Sequence, residues 1–311
     1  FLDEPLAGLD QPGTEKVIAV LRALASAHRL TLVIVEHVFN VPAILDFATA
    51  VWTLAAGHLT RETVTEDKTN PVMQNTNLLS NLIREMAGPE AIITNEQLSR
   101  GAKLTRVSRV GTPREPLLII SGLIARRGHR LVIGQEDDGA VNGFDLVIHK
   151  GELVFLQAPN GWGKTALLEA LAGTLPCQGG RINLGGVSLE SKPVWGRRRS
   201  GLAVVPARDS IFNSLTIAEY QRICAGAVEE DRRSAICEGD GPRRLSSLSG
   251  GERKRLVQQT ATQAQARVRI WDEPFSSLDA LSVRACLSAI APAGENAALL
   301  LIPSMHVTEA R

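Results

Sequence analysis

The chain is poor in cysteine, has no long apolar run and carries almost no net charge. Its four cysteines show no C-x-x-C spacing, which indicates no disulfide framework and favours a reducing compartment. No apolar run approaches the ~18 residues that cross a bilayer, and no basic stretch before an apolar segment predicts a secretory signal. A formal net charge of +1 argues against a dedicated nucleic-acid binder, although it leaves room for a local basic patch.

What the chain does contain is typical of a globular protein. Hydrophobic residues make up 44% of the sequence and charged residues 22%. Its 311 residues are enough for two domains or one large one. Because Phe1 already lies inside a recognisable motif, we expect the chain to be part of a longer protein.

A glycine-rich stretch lies between an apolar run at 153–156 and a predicted helix at 166–172. This layout is typical of a loop that holds the phosphates of a nucleoside triphosphate, because glycines let backbone N–H groups turn inward and the helix N-terminus adds positive charge. Lys164 is expected to reach the β- and γ-phosphates, and the Thr165 hydroxyl to bind Mg²⁺. The stretch consists of Ala158, Pro159, Asn160, Gly161, Trp162, Gly163, Lys164 and Thr165.

One position departs from the motif G-x-x-x-x-G-K-[ST], since Ala158 stands where the first glycine is expected. Alanine is excluded there only if the backbone needs a positive φ. The alternative is a glycine-rich turn that binds nothing. The flanking strand and helix, with Lys-Thr at the expected place, favour the phosphate loop.

The strongest sign of organisation is an internal repeat. Asp3-Glu4-Pro5 near the start recurs as Asp272-Glu273-Pro274, an offset of 269 that also relates Asp10 to Asp279. The same offset relates His37 to His306 and the apolar residues 32–34 to 301–303. We infer that the chain holds the tail of one unit and most of a second.

The pattern of elements divides the chain into three parts. Residues 1–65 alternate predicted helices (Glu15 to about Ala27, and near 42–47) with strands at 31–36 and 50–55, which favours a buried, mainly parallel sheet. Residues 66–115 are rich in turn formers and basic residues, and we expect a linker with one short helix at 78–86. Residues 116–311 form the second unit, with a small antiparallel part and a helical insertion at 216–245. The predicted fold class is α/β.

Two carboxylates follow the apolar stretch 268–271 and so lie at the carboxyl end of a predicted strand, where ligands bind in open α/β sheets. Asp272 is placed to hold Mg²⁺, and Glu273 to polarise an attacking water. Phosphoryl transfer depends mostly on such positioning and charge stabilisation. A lone Asp-Glu pair is more often a cap or a surface charge, but the phosphate loop upstream favours the functional interpretation.

Two further segments have both a functional and a plain interpretation. Ser249-Gly250-Gly251 opens a predicted helix and offers free N–H groups to an anion, or is simply a serine cap before a basic helix. His306 follows the strand predicted at 298–302, where a histidine is usually a satisfied structural residue. Its match to His37 favours a role such as sensing the γ-phosphate.

Taken together, these motifs resemble those of the ATP-binding cassette (ABC) ATPases, which are P-loop NTPases. Residues 158–165 are similar to the Walker A loop of the family, 270–273 to Walker B, 249–252 to the signature, 276–279 to the D-loop and His306 to the switch histidine. The resemblance covers most of the chain except the linker. It implies that Asp3 (metal), Glu4 and His37 (catalysis) belong to a preceding cassette, and that ATP and Mg²⁺ are the cofactors.

The chain departs from the family at three places in the second unit. Ala207 stands where the family usually has a glutamine that contacts Mg²⁺, water and the transmembrane partner. No aromatic residue for stacking on adenine lies near 126–129, where Arg127 is the substitute. Ala166 replaces a common hydroxyl residue. These changes predict a weaker or slower second site.

The resemblance implies an ATPase subunit of a transporter, on the cytoplasmic face of the membrane and bound to permease subunits. Each site would form between Lys164 and Glu273 of one cassette and the signature of another, supplied upstream or by a second copy. Residues 5–10 favour solute import. The alternatives are a soluble ribosome-acting tandem cassette, and a degenerate cassette that binds ATP as a regulatory clamp.

Overall fold

The structure is a computed structural model. It describes residues 1–6, 9, 11–36, 40–45, 48–55, 57–62, 78–111, 115–207, 213–225, 243–248, 250–263, 265–276, 278 and 280–303. Three predicted site residues lie outside these ranges: His37, Ser249 and His306. None of the helices within the ranges is both long and apolar enough to cross a membrane.

Residues 1–62 contain a short parallel strand pair, two helices and a hairpin. The elements are β1 (Leu2–Asp3), α1 (Gln11–His28), β2 (Ile34–Val35), α2 (Val41–Leu45), β3 (Val51–Ala55) and β4 (His58–Glu62). Both predicted helices are confirmed, whereas the strand predicted over 31–36 has only two residues. β1 pairs with β2 in parallel and β3 with β4 antiparallel. The sheet is not buried as predicted, since Val35 is 53% exposed.

Residues 78–303 contain the larger part of the fold. The first elements are α3 (Leu78–Ala87), β5 (Ala91–Gln97), β6 (Lys103–Arg109), β7 (Pro116–Arg127), β8 (Arg130–Ile133), β9 (Gln135–Asp137), β10 (Ala140–Asn142), β11 (Phe144–His149), β12 (Leu153–Ala158) and α4 (Lys164–Ala172). The remaining ones are β13 (Cys177–Leu184), β14 (Val187–Ser188), α5 (Val194–Arg199), β15 (Leu202–Val205), α6 (Ile217–Ala225), α7 (Gly250–Gln263), β16 (Val268–Asp272), α8 (Ala280–Ile290) and β17 (Ala297–Pro303).

Six strands form the main sheet, in the order β15-β16-β17-β12-β6-β5. The first four are parallel, and β6 and β5 are antiparallel to their neighbours. Every residue of β12 and β17 is buried, because these strands are almost continuously apolar and the sheet is covered on both faces. The predicted α/β class with a mainly parallel core is confirmed.

Alternate residues of the central strands face two separate hydrophobic clusters. Val154 and Leu156 pack into the cluster that contains α4 and the antiparallel sheet. Leu153 and Phe155 pack into the cluster that contains α3 and α8. The sheet is therefore sandwiched between these two layers, which leaves the carboxyl ends of β12 and β16 open for polar groups.

A second, antiparallel sheet has the order β11-β7-β13-β14, with β8 also paired to β7. Its strands approach so closely at one point that a side chain has no room. A Cβ atom at Gly143 would lie 2.1 Å from the carbonyl carbon of Gly122. The small antiparallel part that the sequence predicts is confirmed.

Residues 78–109 differ from the expected linker. The short helix predicted at 78–86 is confirmed as α3, but it is followed by a hairpin that joins the main sheet. β6 pairs with β12 along its length, and Arg106, expected to be solvated, donates hydrogen bonds to Val147 O (2.7 Å) and Glu152 Oε2 (3.2 Å). Residues 91–109 thus belong structurally to the second unit. Residues 66–77 and 112–114 of the expected linker lie outside the described ranges.

The predicted helical insertion is present in its described parts. α6 and α7 pack together through a small cluster of Ile217, Leu245, Leu248 and Leu256. Because α7 begins at Gly250, the segment that resembles the family signature lies at a helix start. Residues 226–242 lie outside the described ranges.

Candidate functional site

The stretch 158–165 has the strand, turn and helix geometry that the sequence predicts. β12 ends at Ala158 and α4 begins at Lys164. Gly161 and Gly163 between them have left-handed φ values of 79° and 117°. Gly163 has no space for a side chain, since a Cβ would lie 2.2 Å from Val132 O. Ala158 is a strand residue without a positive φ, so the alanine fits where the motif has glycine.

Lys164 directs its ammonium group back into the loop. The side chain is buried, and its Nζ donates to Ala158 O at 2.8 Å and to Pro159 O at 3.4 Å. A charged group this well buried is rare unless polar groups surround it. The loop therefore encloses a fixed positive charge, as a phosphate site requires.

Thr165 connects this loop to the end of β16. Its hydroxyl donates to Asp272 Oδ2 at 3.0 Å, across 107 positions of the sequence. The pairing occurs because β12 and β16 both lie beside β17 in the sheet, so that their carboxyl ends meet at one edge. The structure thus brings together the two side chains that the sequence predicts as Mg²⁺ ligands.

Asp272 is a buried carboxylate with one unsatisfied oxygen. The residue is 3% exposed, and its Oδ1 has no hydrogen-bond partner within the described part of the chain. Burial raises the pKa of Asp272 to about 6, the Thr165 hydrogen bond opposes this rise, and the charge of Glu273 adds to it.

A free carboxylate oxygen beside a threonine hydroxyl fits a Mg²⁺ site completed by phosphates and water. The described residues contain no cluster of three or more His, Cys, Asp or Glu side chains that could hold a metal without such help. Thr165 and Asp272 are therefore the residues of this chain that would hold the ion.

Glu273 follows in a left-handed backbone conformation, with φ 45°. Its N–H donates to Leu301 O of β17 at 2.8 Å, and its carbonyl accepts from Lys254 Nζ of α7 at 3.0 Å. Its side chain is half-buried. The turn thereby places the Glu273 carboxylate next to Asp272, close enough to raise the pKa of Asp272.

The helix that begins at Gly250 is fixed to this carboxylate segment. Besides Glu273 O, Lys254 Nζ donates to Ser276 O at 2.8 Å, and Gln258 Nε2 donates to Pro274 O at 2.7 Å. The sequence did not single out either α7 residue, because neither belongs to a motif. Gly250 and Gly251 start the helix as predicted.

In the first unit, Asp3 and Glu4 repeat the geometry of the second. Asp3 ends β1, and Glu4 has the same φ of 45° and donates its N–H to Val35 O at 2.8 Å. The constant offset of 269 is wrong for the following strand. Since Val35 corresponds to Leu301 as acceptor, the strands are related by 266. The predicted match of His37 to His306 lies outside the described residues.

Two departures predicted from the sequence have clear surroundings. Arg127, the predicted substitute for the adenine-stacking aromatic, forms an ion pair with Glu169 of α4. Ala207 lines a small cavity together with Lys254, Gln258 and Asp272. The aromatic residue in the phosphate loop, Trp162, is buried and packs edge-on against Phe144 with ring centroids 5.5 Å apart.

Comparison with known proteins gives one family. The family model described as "ABC transporter" matches residues 141–276. An uncharacterized ABC transporter ATP-binding protein of Rhizobium meliloti is 33% identical over 154 residues, which cover 46% of this chain and 57% of the relative.

Two relatives carry transport names. The probable branched-chain amino acid transport ATP-binding protein LivF of Archaeoglobus fulgidus is 33% identical over 144 residues (43% of this chain, 61% of LivF). The lipopolysaccharide export system ATP-binding protein LptB of Escherichia coli K12 is 30% identical over 155 residues (46% and 64%). The chain spans less than two thirds of the length of each of these three relatives. Over residues 141–276, the chain is similar to the ABC transporter family.

Proposed function

We propose that the chain is an ATP-binding and ATP-hydrolysing part of an ABC transporter that imports a solute. The observation that supports this most directly is the hydrogen bond between Thr165 of the phosphate loop and Asp272. It joins the residues expected to hold the phosphates and Mg²⁺ at one sheet edge. Glu273 follows directly on the same segment.

The chain's own residues divide the work as follows. Loop N–H groups at 160–163 and Lys164 bind the β- and γ-phosphates, and Thr165 and Asp272 hold Mg²⁺. The ion, when bound, neutralises charge on the phosphates. Glu273 accepts a proton from the water that attacks the γ-phosphorus, while the bond from phosphorus to the bridging oxygen breaks and ADP leaves.

A second cassette is part of the proposal. The signature residues Ser249, Gly250 and Gly251 would close on a nucleotide held by another cassette, upstream in the same polypeptide or in a second copy. Asp3, Glu4 and His37 would serve a further site, and His306 is assigned as the switch histidine by its sequence only. The partners would be permease subunits, so membrane association on the cytoplasmic face is indirect. No nucleic acid is expected.

We also propose that the second site turns over slowly. Ala207 offers no amide at the cavity beside Asp272. Ala166 offers no hydroxyl after Thr165, and no aromatic residue lies at 126–129 to stack on adenine, where Arg127 forms an ion pair with Glu169. Substituting Ala207→Gln should therefore raise the rate of hydrolysis, whereas Ala23→Gln at an exposed position of α1 should not.

Import is the finer part of the proposal. It is supported by residues 5–10 and by the relative named for branched-chain amino acid transport. The relative named for lipopolysaccharide export shows that similar domains also serve the opposite direction. Once permease partners are identified, proteoliposomes decide the matter, because ATP on the cassette side should drive solute toward that side.

The central test is nucleotide binding. Lys164→Ala should weaken Mg-ATP binding at least 100-fold, measured by calorimetry, because it removes the buried cation that faces the phosphates. Lys16→Ala, an exposed lysine on α1, is the matched control and should bind normally. If the wild-type chain does not bind Mg-ATP, the proposed function is refuted.

The transporter and ribosome-acting interpretations differ in the partners that the protein binds. A transporter subunit should co-purify with permease subunits from membranes, whereas a ribosome-acting tandem cassette should co-sediment with ribosomes. Residues 7–8 (Ala-Gly) in place of Asn-His count against the ribosome-acting group. A degenerate cassette that acts as a regulatory clamp would bind Mg-ATP but not hydrolyse it, even with a second cassette and permease subunits present.

A further inference from the structure

The turn between β5 and β6 lies on the phosphate loop. This turn comprises Ser99, Arg100 and Gly101 and belongs to the hairpin that the sequence assigned to a linker. Trp162 Nε1 of the phosphate loop donates to Ser99 O at 3.2 Å. A Cβ at Gly101 would lie 4.0 Å from Pro159 Cγ. The hairpin thus touches the phosphate loop at two separate residues.

Arg100 extends from this turn along the edge of the loop. Its guanidinium donates to Gly161 O at 3.2 Å and to Gly134 O at 3.4 Å. Its contacts are neutral carbonyls, and no carboxylate in the described ranges lies within ion-pair distance of it. The side chain is exposed, so its positive charge is available at the rim of the loop.

The backbone at Arg100 is held in an unfavourable conformation. Its φ of 59° and ψ of 34° are left-handed, a region that glycine enters readily and other side chains do not. The surrounding hairpin and its contacts with Trp162 and Pro159 maintain this geometry. Strain of this kind beside a binding loop points to a role for the side chain that it aims.

We propose that Arg100 binds a phosphate group of the nucleotide, as a second cation beside Lys164. The inference rests on the proposed function and lies outside residues 141–276, which match the family. A guanidinium has five N–H donors, and in the described part of the chain Arg100 makes two long hydrogen bonds, both to carbonyls. A phosphate oxygen is a stronger acceptor and matches the planar fork of arginine.

Arginine at this position also complements the charges around it. Asp272, Glu273 and Glu169 lie on the inner side of the site, where their charges act on one another. The charge of Glu169 is paired with Arg127, and that of Lys164 lies inside the loop. Arg100 adds a positive charge from the hairpin, at the Gly161 carbonyl of the phosphate loop.

The test uses two substitutions that preserve the turn. Arg100→Gly removes the guanidinium and suits the left-handed φ, and Arg100→Lys keeps a charge without the fork. Arg109→Ala, at the far end of the same hairpin, is the matched control. Calorimetry with Mg-ATP, Mg-ADP and adenosine separates phosphate contacts from base contacts, and thermal unfolding without ligand monitors the fold.

We expect Arg100→Gly to weaken the binding of Mg-ATP and Mg-ADP about tenfold, as loss of a charged hydrogen bond does. The affinity for adenosine should stay unchanged. Arg100→Lys should recover part of the loss, and Arg109→Ala should bind like wild type. The unfolding temperature of Arg100→Gly should not fall.

Three results would overturn the inference. If the Mg-ATP affinity of Arg100→Gly is within twofold of wild type, Arg100 does not contact the phosphates. An equal loss of adenosine affinity would also contradict a phosphate contact. A tenfold loss accompanied by a lower unfolding temperature, and not recovered by lysine, assigns Arg100 a structural role only. A wild-type chain without Mg-ATP binding refutes the proposed function as well, which distinguishes the two failures.

Discussion

The two Asp-Glu segments, residues 3–4 and 272–273, share their local geometry but not their surroundings. In both, a strand ends at the aspartate, the glutamate has φ 45°, and its N–H donates to the neighbouring parallel strand at 2.8 Å. Asp272 is buried, however, while Asp3 is exposed. The same short sequence therefore produces the same turn in two different environments.

The environments differ in the number of strands around each segment. β16 and β17 lie between β15 and β12, whereas the described pairing of β1 is with β2 alone. As a consequence Leu301 is 0% exposed and the corresponding Val35 is 53% exposed. The motif determines the turn, and the neighbouring strands determine burial, the pKa of the aspartate and access to a phosphate loop.

The rate of ATP hydrolysis should show the largest difference between the two Asp-Glu segments. Glu273→Gln removes the proton acceptor next to Asp272 and should lower the rate of ATP hydrolysis by this chain about 10²- to 10³-fold. Glu4→Gln should leave that rate unchanged, because its unit offers no phosphate loop among the described residues. Phosphate release assays at saturating Mg-ATP measure both. Equal losses would show that the two segments act in one site.

Packing should give the next largest contrast. Leu301→Ala leaves a cavity in the main sheet and should lower the free energy of unfolding by about 2–5 kcal/mol. Val35→Ala, at the corresponding position of β2, should change it by less than about 0.5 kcal/mol, as is usual for exposed sites. Urea unfolding measures both. A comparable loss for Val35→Ala would mean that residues 1–62 pack more tightly than this structure shows.

The same contrast explains which elements could be predicted. β12, the glycine turn and α4 follow from a continuous apolar run, glycines with left-handed φ and a helical segment, all within 20 residues. β5 could not be predicted, since six of its seven residues are exposed and give no alternating pattern. It forms because β6 pairs with β12, a contact between distant residues.

The candidate site shows a similar division. Lys164 and Thr165 could be found because they end a glycine-rich motif, and Asp272 and Glu273 because they directly follow an apolar run. Arg100 could not, since its position depends on how the hairpin docks. The constant offset failed at β17 because a repeat read from sequence does not detect three residues fewer between Glu273 and the strand.

The pH dependence of stability should differ between Asp272 and Asp3 because only Asp272 is buried. Because burial raises the pKa of Asp272 from 3.8 to about 6, the folded state binds its proton more tightly than the unfolded state does. Stability from this group is therefore complete below pH 4 and is lost as the pH rises through 6, by up to about 3 kcal/mol. Without Mg²⁺ and nucleotide, Asp272→Asn should stabilise the chain at pH 7 by up to that amount.

The matched control is Asp3→Asn, which should change the free energy of unfolding by less than about 0.5 kcal/mol because the side chain is exposed. Urea unfolding between pH 4 and pH 7 isolates the Asp272 contribution as the difference between wild type and variant. The stabilised Asp272→Asn variant should also lose the Mg²⁺ dependence of ATP binding. A variant whose stability matches wild type at every pH would show that Asp272 ionises freely.

The smallest effect tests what the segments have in common. Glu4→Gly and Glu273→Gly each place glycine at φ 45°, which relieves a strained backbone by about 1–2 kcal/mol but adds flexibility to the unfolded chain. A net local gain of up to about 1 kcal/mol is expected at both. Amide exchange at positions 4 and 273 measures it, since both N–H groups donate at 2.8 Å.

Equal gains would mean that the left-handed turn belongs to the Asp-Glu-Pro sequence itself, whatever surrounds it. A gain at 4 with none at 273 would mean instead that the second unit holds its turn by other contacts, of which the Lys254 hydrogen bond to Glu273 O is the one to remove next. Lys254→Met would then lower protection at 273 and leave position 4 unchanged, because no such lysine contact is described in the first unit.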